Sequence, residues 1–410
     1  MRRFVVIALL LFPLFASADY RARRERLAAR LDANTSVALV FGSEEEDDSF
    51  RQNDDFYYLT GWNEPGAALL IAPAREGRPY EEILFLPDRN VSLEQWTGGR
   101  VTASSTDARG KTGFDRVLPL DALRDELVRV LPPRPTIHTQ PEDASVPLRW
   151  LRRANAFPRY TTYESVATPI GALRLIKDGD EIALIRKAVN ATVSAHNAAS
   201  RALRAGATEN EIAGLIEYEF RRAGCEGRAF PSIVGSGRNS TVLHYNENSG
   251  TLAAGDVVVI DIGAECSRYA ADVTRTYPVG GRFTPRQREI YDIVLAAQQA
   301  AVDAFKSGVS TIGRASENSL YKVAYEYINT HGKDQKGQPL GQYFIHGLSH
   351  YVGLAVHDAG STSAPLLPGA VFTIEPGIYI PEERIGVRIE DTYRVREDGT
   401  LECMSCAAPK

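Results

Sequence analysis

Four acids and a group of histidines carry the chemistry this sequence could perform. Asp261 closes the apolar run "GDVVVIDIG" (255–263), and Glu375 closes "GAVFTIEPG" (369–377). A second acid follows each, Asp272 in "ADVTRT" and Glu390 in "IEDTYRV". The chain has 7 histidines, and His346, His350 and His357 fall together in "HGLSHYVGLAVHD". A carboxylate at the end of a β-rich apolar run is poorly solvated, and an unpaired acid there is costly. Four such groups cannot all stay ionised together, because desolvation and mutual repulsion load protons onto them. A polyvalent cation removes the conflict. Oxygen-rich ligation with a histidine suits Mn²⁺, Fe²⁺, Co²⁺ or Zn²⁺. Two ions about 3.5–4 Å apart would share bridging carboxylates and activate a water between them.

The histidines do not form a metal site of their own. His346 and His350 have the spacing of a helical H-E-x-x-H zinc site, but Gly347 stands where the base would be, and Gly347 and Gly353 disfavour a helix. One ligand with two or three supporting histidines accounts better for His244, His346, His350 and His357. There is no G-x-S-x-G elbow, and "GSGRNS" (235–240) is too weak for a phosphate loop.

The elements that must position these groups repeat. Gly255/Gly369, Val257/Val371, Ile260/Ile374, Asp261/Glu375 and Gly263/Gly377 match at an offset of 114. Thr274 and Thr392 hold the same place after the second acids, and His244 and His357 precede the first acids by 17 and 18 residues. Upstream, each half shows a long helical pattern, a glycine break (Gly206, Gly308) and another helix; Thr284-Pro285 is a good start for one of them. This predicts two α-α-β-β halves related by a pseudo-two-fold, each contributing a hairpin with two carboxylates.

Length and composition set the rest. At 410 residues two domains are expected. Hydrophobic content of 44%, charged content of 24% and a net charge of −5 give no reason to expect nucleic acid. Residues 19–165 read as an α/β domain, with "SVALVFG", "GAALLIAP" and "EEILFLP" as buried strands and "YRARRERLAARL" and "DALRDELVRVL" as helices. Residues 170–410 hold the repeat. "MRR", an apolar stretch and "ASA" have the layout of a signal peptide over residues 1–18, hence an exported, periplasmic or secreted protein. No later segment predicts a membrane span. Cys225 and Cys266 read as isolated, and Cys403 and Cys406 as a local disulfide or an idle pair.

Together, "VLHYNENS", "VVVIDIGAECSRYAADVTRTYPVGGRFT", "HGLSHYVGLAVHD", "TIEPGIYI" and "GVRIEDTYRV" resemble the metal-dependent aminopeptidase P and prolidase group of M24 metallopeptidases. The resemblance implies a C-terminal α+β pita-bread domain. "RQNDDFYYLTGWNEPGAALLI" and "LEQWTGGR" resemble the N-terminal domain of aminopeptidase P, which methionine aminopeptidases lack. Creatinases share the fold but lose the metal acids, all of which stand here.

The resemblance further implies two divalent ions, commonly Mn²⁺ with Co²⁺ or Zn²⁺ as alternatives, held by Asp261, Asp272, His350, Glu375 and Glu390. It implies a metal-activated hydroxide that removes the N-terminal residue from peptides with penultimate proline. His244 and His357 would meet the substrate and the tetrahedral intermediate, and Glu375 would carry a proton. Tyr379, Arg388 and His346 would line or brace the site. Trp96 and Asp55 match residues at the substrate entrance, Trp96 from a neighbouring subunit, and the family commonly forms homodimers or homotetramers. A strict Xaa-Pro dipeptidase (a prolidase) is the nearest alternative, and a non-catalytic peptide-binding module a remote one. The prolidase reading suffers because "DAGSTSAPLLPGAVFTI" contains no Lys or Arg to hold a dipeptide's carboxylate.

Overall fold

The structure, a computed structural model, describes residues 19–44, 50–140 and 160–410. The expected signal peptide lies outside the described residues. Among those described, no helix is long and apolar enough to cross a membrane.

The N-terminal part is a six-stranded mixed sheet. Its strands are β1 (Ser36–Phe41), β2 (Ala68–Ala72), β3 (Glu81–Leu86), β4 (Val117–Pro119), β5 (Thr136–Thr139) and β6 (Thr162–Ser165), in the order β4-β3-β2-β1-β5-β6. The two central strands, β2 and β1, are apolar but for Ser36 at the start of β1, because both faces are covered. Along β1, Val37, Leu39 and Phe41 face one way and pack with Leu123, Leu127 and Val130 of a helix over Leu123–Val130. Ala38 and Val40 face the other way, into a core that runs on into the C-terminal domain through Ile185, Ala188 and Val189. That second face carries α1 (Tyr20–Ala28) and α2 (Asp54–Thr60), while α3 (Val91–Thr97) stands at the surface.

The C-terminal domain is the α+β pita-bread fold. Its first half has helices Gly179–Ala202 and Glu209–Arg222 and a hairpin of Val257–Ile262 with Val273–Pro278; its second has helices Pro285–Ala304 and Leu320–His331 and a hairpin of Val371–Ile374 with Asp391–Val395. Three of these four helices begin with complete capping boxes, Asp178/Glu181, Thr208/Glu211 and Thr284/Gln287, so their starts are written locally in the sequence. Each half buries its own apolar cluster.

The two hairpins differ in register. Asp261 pairs with Thr274, whereas Thr373, two residues before the Asp261 equivalent, pairs with Thr392. A two-residue slip keeps every side chain on its face. It also leaves Glu375 beyond the last paired residue, Ile374, beside the start of the returning strand.

Cysteine pairing departs from expectation at one point. Cys403 and Cys406 are joined, as one of the two readings had it. Cys225 and Cys266 are not isolated but joined to each other. They lie 41 residues apart in sequence, yet the exit of the helix Glu209–Arg222 runs beside the strand Ala264–Cys266, where Glu226 N–H donates to the Glu265 carbonyl at 2.9 Å.

Candidate metal centre

The hairpins of the two halves bring the four acids to one cavity of about 270 Å³. Asp261, Asp272, Glu375, Glu390, His244, His346, His350, His357 and Arg388 all line it, from segments as far apart in sequence as residues 243 and 390. Asp272, His350 and Glu390 form the tightest group, with ligand atoms within 4.8 Å of one another. His350 Nε2 lies 3.3 Å from Asp272 Oδ2, 3.4 Å from Glu375 Oε1 and 3.9 Å from Glu390 Oε1.

Hydrogen bonds fix what these atoms can be. His350 Nδ1 lies 3.2 Å from the Tyr351 carbonyl, an acceptor, so Nδ1 carries the proton and Nε2 presents a lone pair to the carboxylates. A lone pair facing three carboxylate oxygens is repulsive unless a cation stands between them. Asp261 Oδ1, Asp272 Oδ1 and Glu390 Oε1 are buried and make no hydrogen bond among the described residues. Burial, then Asp261 and Glu375, push the Asp272 carboxyl well above its usual range; burial, then Asp272 and Glu375, do the same to Glu390; burial raises Glu375. Bare oxygens, a bare imidazole nitrogen and mutual repulsion are what a divalent cation site requires, so the donor set fits the ions its chemistry calls for.

Arg388 braces this set from behind. A guanidinium only donates, so the directions follow. Nη2 donates to Asp261 Oδ2 at 2.7 Å, Nη1 to Tyr379 Oη at 2.7 Å, and Nε to Thr274 Oγ1 at 3.1 Å. Thr274 in turn donates to Glu390 Oε2 at 2.7 Å. Tyr379 Oη lies 2.8 Å from His346 Nε2, and His346 Nδ1 lies 2.7 Å from the Gly347 carbonyl; the imidazole therefore accepts from Tyr379 and donates to Gly347. Burial and Arg388 push His346 down to about 3, which keeps it neutral for this role, and burial pushes Tyr379 up to about 12. Tyr379 and His346 thus act through Arg388 and the cavity wall. Thr373 accepts the His350 N–H at 3.2 Å and donates to Glu375 Oε1 at 3.2 Å; a threonine inside the apolar run "VFTI" was the available sign of it.

His357 packs edge-on against His350, with centroids 4.3 Å apart and planes at 68°; burial and the neighbouring His350 and His244 lower its proton affinity. His244 and His357 also line an annex of about 230 Å³ walled by Phe230, Pro231, Ile233 and Val356.

Asp55 and Trp96, expected at a substrate entrance shared between subunits, stand outside the cavity of their own chain. Asp55 lines neither cavity; its carboxylate is paired with Arg174 Nη1 at 2.7 Å, and Arg174 also contacts Asp358, next to His357. Trp96 lines neither cavity and is 88% exposed, so a packed-core role is excluded. The second cluster of possible ligands, Asp391, Cys403 and Cys406, has its sulfurs tied up in the disulfide.

The description "Metallopeptidase family M24" matches residues 183–397, and "Aminopeptidase P, N-terminal domain" matches residues 20–138. The chain is 34% identical to an Xaa-Pro aminopeptidase of Escherichia coli, over 93% of each chain. It resembles the solved aminopeptidase PepP of Pseudomonas aeruginosa with a TM-score of 0.81 at 30% identity, over 95% of each chain. It also resembles zinc-substituted E. coli aminopeptidase P in complex with product, with a TM-score of 0.81 at 32% identity, over 95% of each chain.

Proposed function

Because the chain belongs to metallopeptidase family M24, we propose that the cavity around His350 is the active site of a metal-dependent Xaa-Pro aminopeptidase. The enzyme removes the N-terminal residue from peptides with proline in second position. The observation that carries this reading is the bare His350 Nε2 facing Asp272, Glu375 and Glu390 between two hairpins. The similarity over nearly the full length to Xaa-Pro aminopeptidases supports the substrate class. So does the absence of Lys and Arg from residues 358–374, which offers a dipeptide's carboxylate no partner there and disfavours a prolidase.

Asp261, Asp272, His350, Glu375 and Glu390 would hold two divalent ions, Mn²⁺ in our reading. Such ions supply Lewis acidity and a water acidified toward neutral pH. The chain's own groups do the rest. Arg388 and Thr274 hold Asp261 and Glu390 in place by hydrogen bonds to one oxygen of each carboxylate. Glu375 takes the proton of the attacking water and passes it to the proline nitrogen, which has no hydrogen of its own and leaves as an amine only when protonated. His357 stands beside His350 and stabilises charge developing on the scissile carbonyl oxygen. His244, across the shared annex, holds the peptide.

Two further readings belong to the proposal. Residues 1–18 direct export; two disulfides and no free cysteine suit an oxidising compartment. Trp96, exposed on α3, completes the substrate entrance of a neighbouring subunit in a homodimer or homotetramer.

The test is turnover of Gly-Pro, Gly-Pro-Pro and a longer Xaa-Pro peptide after loading with Mn²⁺, Co²⁺ or Zn²⁺. Cleavage of the tripeptide and longer peptide at the Xaa-Pro bond is expected. Cleavage of Gly-Pro alone would establish the dipeptidase instead, and no cleavage with any ion would leave a binding module.

A further inference from the structure

His244 is exposed, and its ring makes no hydrogen bond among the described residues. Something outside the ring must fix it. The next residue, Tyr245, is buried, and its hydroxyl donates to Glu209 Oε2 at 2.8 Å. Glu209 is the first residue of the helix Glu209–Arg222 and is 0% exposed. No cation pairs with it among the described residues, so its burial must be offset by hydrogen bonds and the helix N-terminus.

Every partner of this carboxylate is a donor. Ser236 gives its N–H and its hydroxyl, each at 2.7 Å, Asn239 its amide at 3.1 Å, and Gly250 its N–H at 2.6 Å, alongside Tyr245. Those four residues bracket His244 on both sides. The carboxylate thus closes the loop 236–250 around one buried point, with His244 at the cavity side.

We propose that Glu209 is the positioning residue for His244, setting where that imidazole meets the peptide. The inference rests on the reading that His244 contacts substrate. An acceptor-only group ringed by donors has no neutral isostere: Glu209→Gln keeps the shape but turns an N–H toward other N–H and O–H groups. The loop then relaxes, and His244 moves with it.

The experiment is a double-mutant cycle on full-length, metal-loaded enzyme with an Xaa-Pro tripeptide, recording kcat, KM, melting temperature and bound metal. The variants are Glu209→Gln, Tyr245→Phe, His244→Ala and each of the first two combined with the third. Glu209→Gln should lower kcat/KM about tenfold at unchanged metal content, through the same parameter that His244→Ala changes, and the double variant should lie within about threefold of His244→Ala alone. A fold brace with no link to His244 instead gives multiplying losses, or a lower melting temperature at full kcat/KM; either overturns the proposal. Should Glu209→Gln not fold, Tyr245→Phe, which removes one donor, decides by the same criterion of a loss that vanishes on the His244→Ala background. Full activity of His244→Ala overturns the substrate role of His244 and the proposal with it, whereas additive losses overturn the proposal alone.

Discussion

The hydroxyl of Thr274, from the first half of the catalytic domain, donates to Glu390 Oε2 of the second half at 2.7 Å, while accepting Arg388 Nε. Across the pseudo-two-fold the counterpart is a backbone contact: Thr392 Oγ1 donates to the main-chain carbonyl of Asp272 at 2.7 Å. The first half therefore aims an acid of the second, and the second anchors the backbone that carries an acid of the first. Thr274→Val keeps the shape and removes the link. It should weaken metal binding about 10–100-fold, the usual effect of losing a partner that orients a ligand. Metal titration of the stripped protein measures this; unchanged affinity would show that Glu390 needs no such support.

Arg388 donates from a single guanidinium to Asp261, Thr274 and Tyr379. Lysine cannot reproduce three divergent donors. Arg388→Lys should lower kcat/KM by about 100-fold or more, and Arg388→Met should in addition destabilise by about 3–5 kcal/mol, since it leaves a buried acid without its partner. Steady-state kinetics and denaturant unfolding report the two effects separately.

The acids could be read from the sequence because a repeat delivers them at matched positions, and the long helices because their caps are local. Arg388 and Tyr379 entered only through the family resemblance, and the contacts by which Arg388 and Thr274 brace the acids could not be read. Arg388 meets Asp261 across 127 residues of chain, and Thr274 meets Glu390 across 116; only the packing of two halves creates those contacts. The pairing of Cys225 with Cys266 was hidden for the same reason. The two-residue register slip was invisible because it preserves the alternation of faces that a sequence displays. The ion pair of Asp55 with Arg174, 119 residues apart in sequence, was hidden as those long-range contacts were.

Asp272 is pushed up by burial and by Asp261 and Glu375. Its charge therefore opposes folding without metal and favours it with metal. Asp272→Asn should raise the melting temperature of the catalytic domain in chelated protein by about 2 °C or more, given roughly 2–4 °C per kcal/mol in domains of about 150–250 residues. In the presence of metal it should lower it, because the wild type gains about 3 kcal/mol at ion concentrations 100-fold above the dissociation constant and the variant does not. Calorimetry with and without chelator checks both signs; a drop in both states would rule out repulsion as the dominant effect.

Asp358 adjoins His357 and lies between Arg174 and Lys177, whose Nζ is 2.9 Å away. Burial alone would raise its carboxyl, but Lys177 and Arg174 outweigh burial and hold it below the usual range. A depressed folded value means stability that is fully present above the unfolded value of about 3.9 and is lost as pH falls through the folded one. Wild-type stability should therefore drop steeply below about pH 4, and Asp358→Asn, less stable at neutral pH, should show a shallower drop. Melting curves from pH 3 to 7 test this.

The two disulfides should separate stability from metal binding. Cys225–Cys266 closes a loop of 41 residues' separation and Cys403–Cys406 one of 3. Loop-closure entropy then predicts about 4 kcal/mol for the first and about 2 kcal/mol for the second. Position reverses the order for the metal centre. Between Cys403 and Cys406, Met404 N–H donates to the Thr392 carbonyl at 2.8 Å, and Ser405 Oγ accepts the Thr392 N–H and donates to Asp391 at 2.7 Å. Thr392 and Asp391 follow Glu390 directly, and Thr392 holds the Asp272 carbonyl. Replacing Cys403 and Cys406 by serine should thus cost less in denaturant midpoint but more in metal affinity than replacing Cys225 and Cys266. Unfolding and metal titration on the two double variants decide it, and equal metal affinities in both would sever the C-terminal clamp from the site.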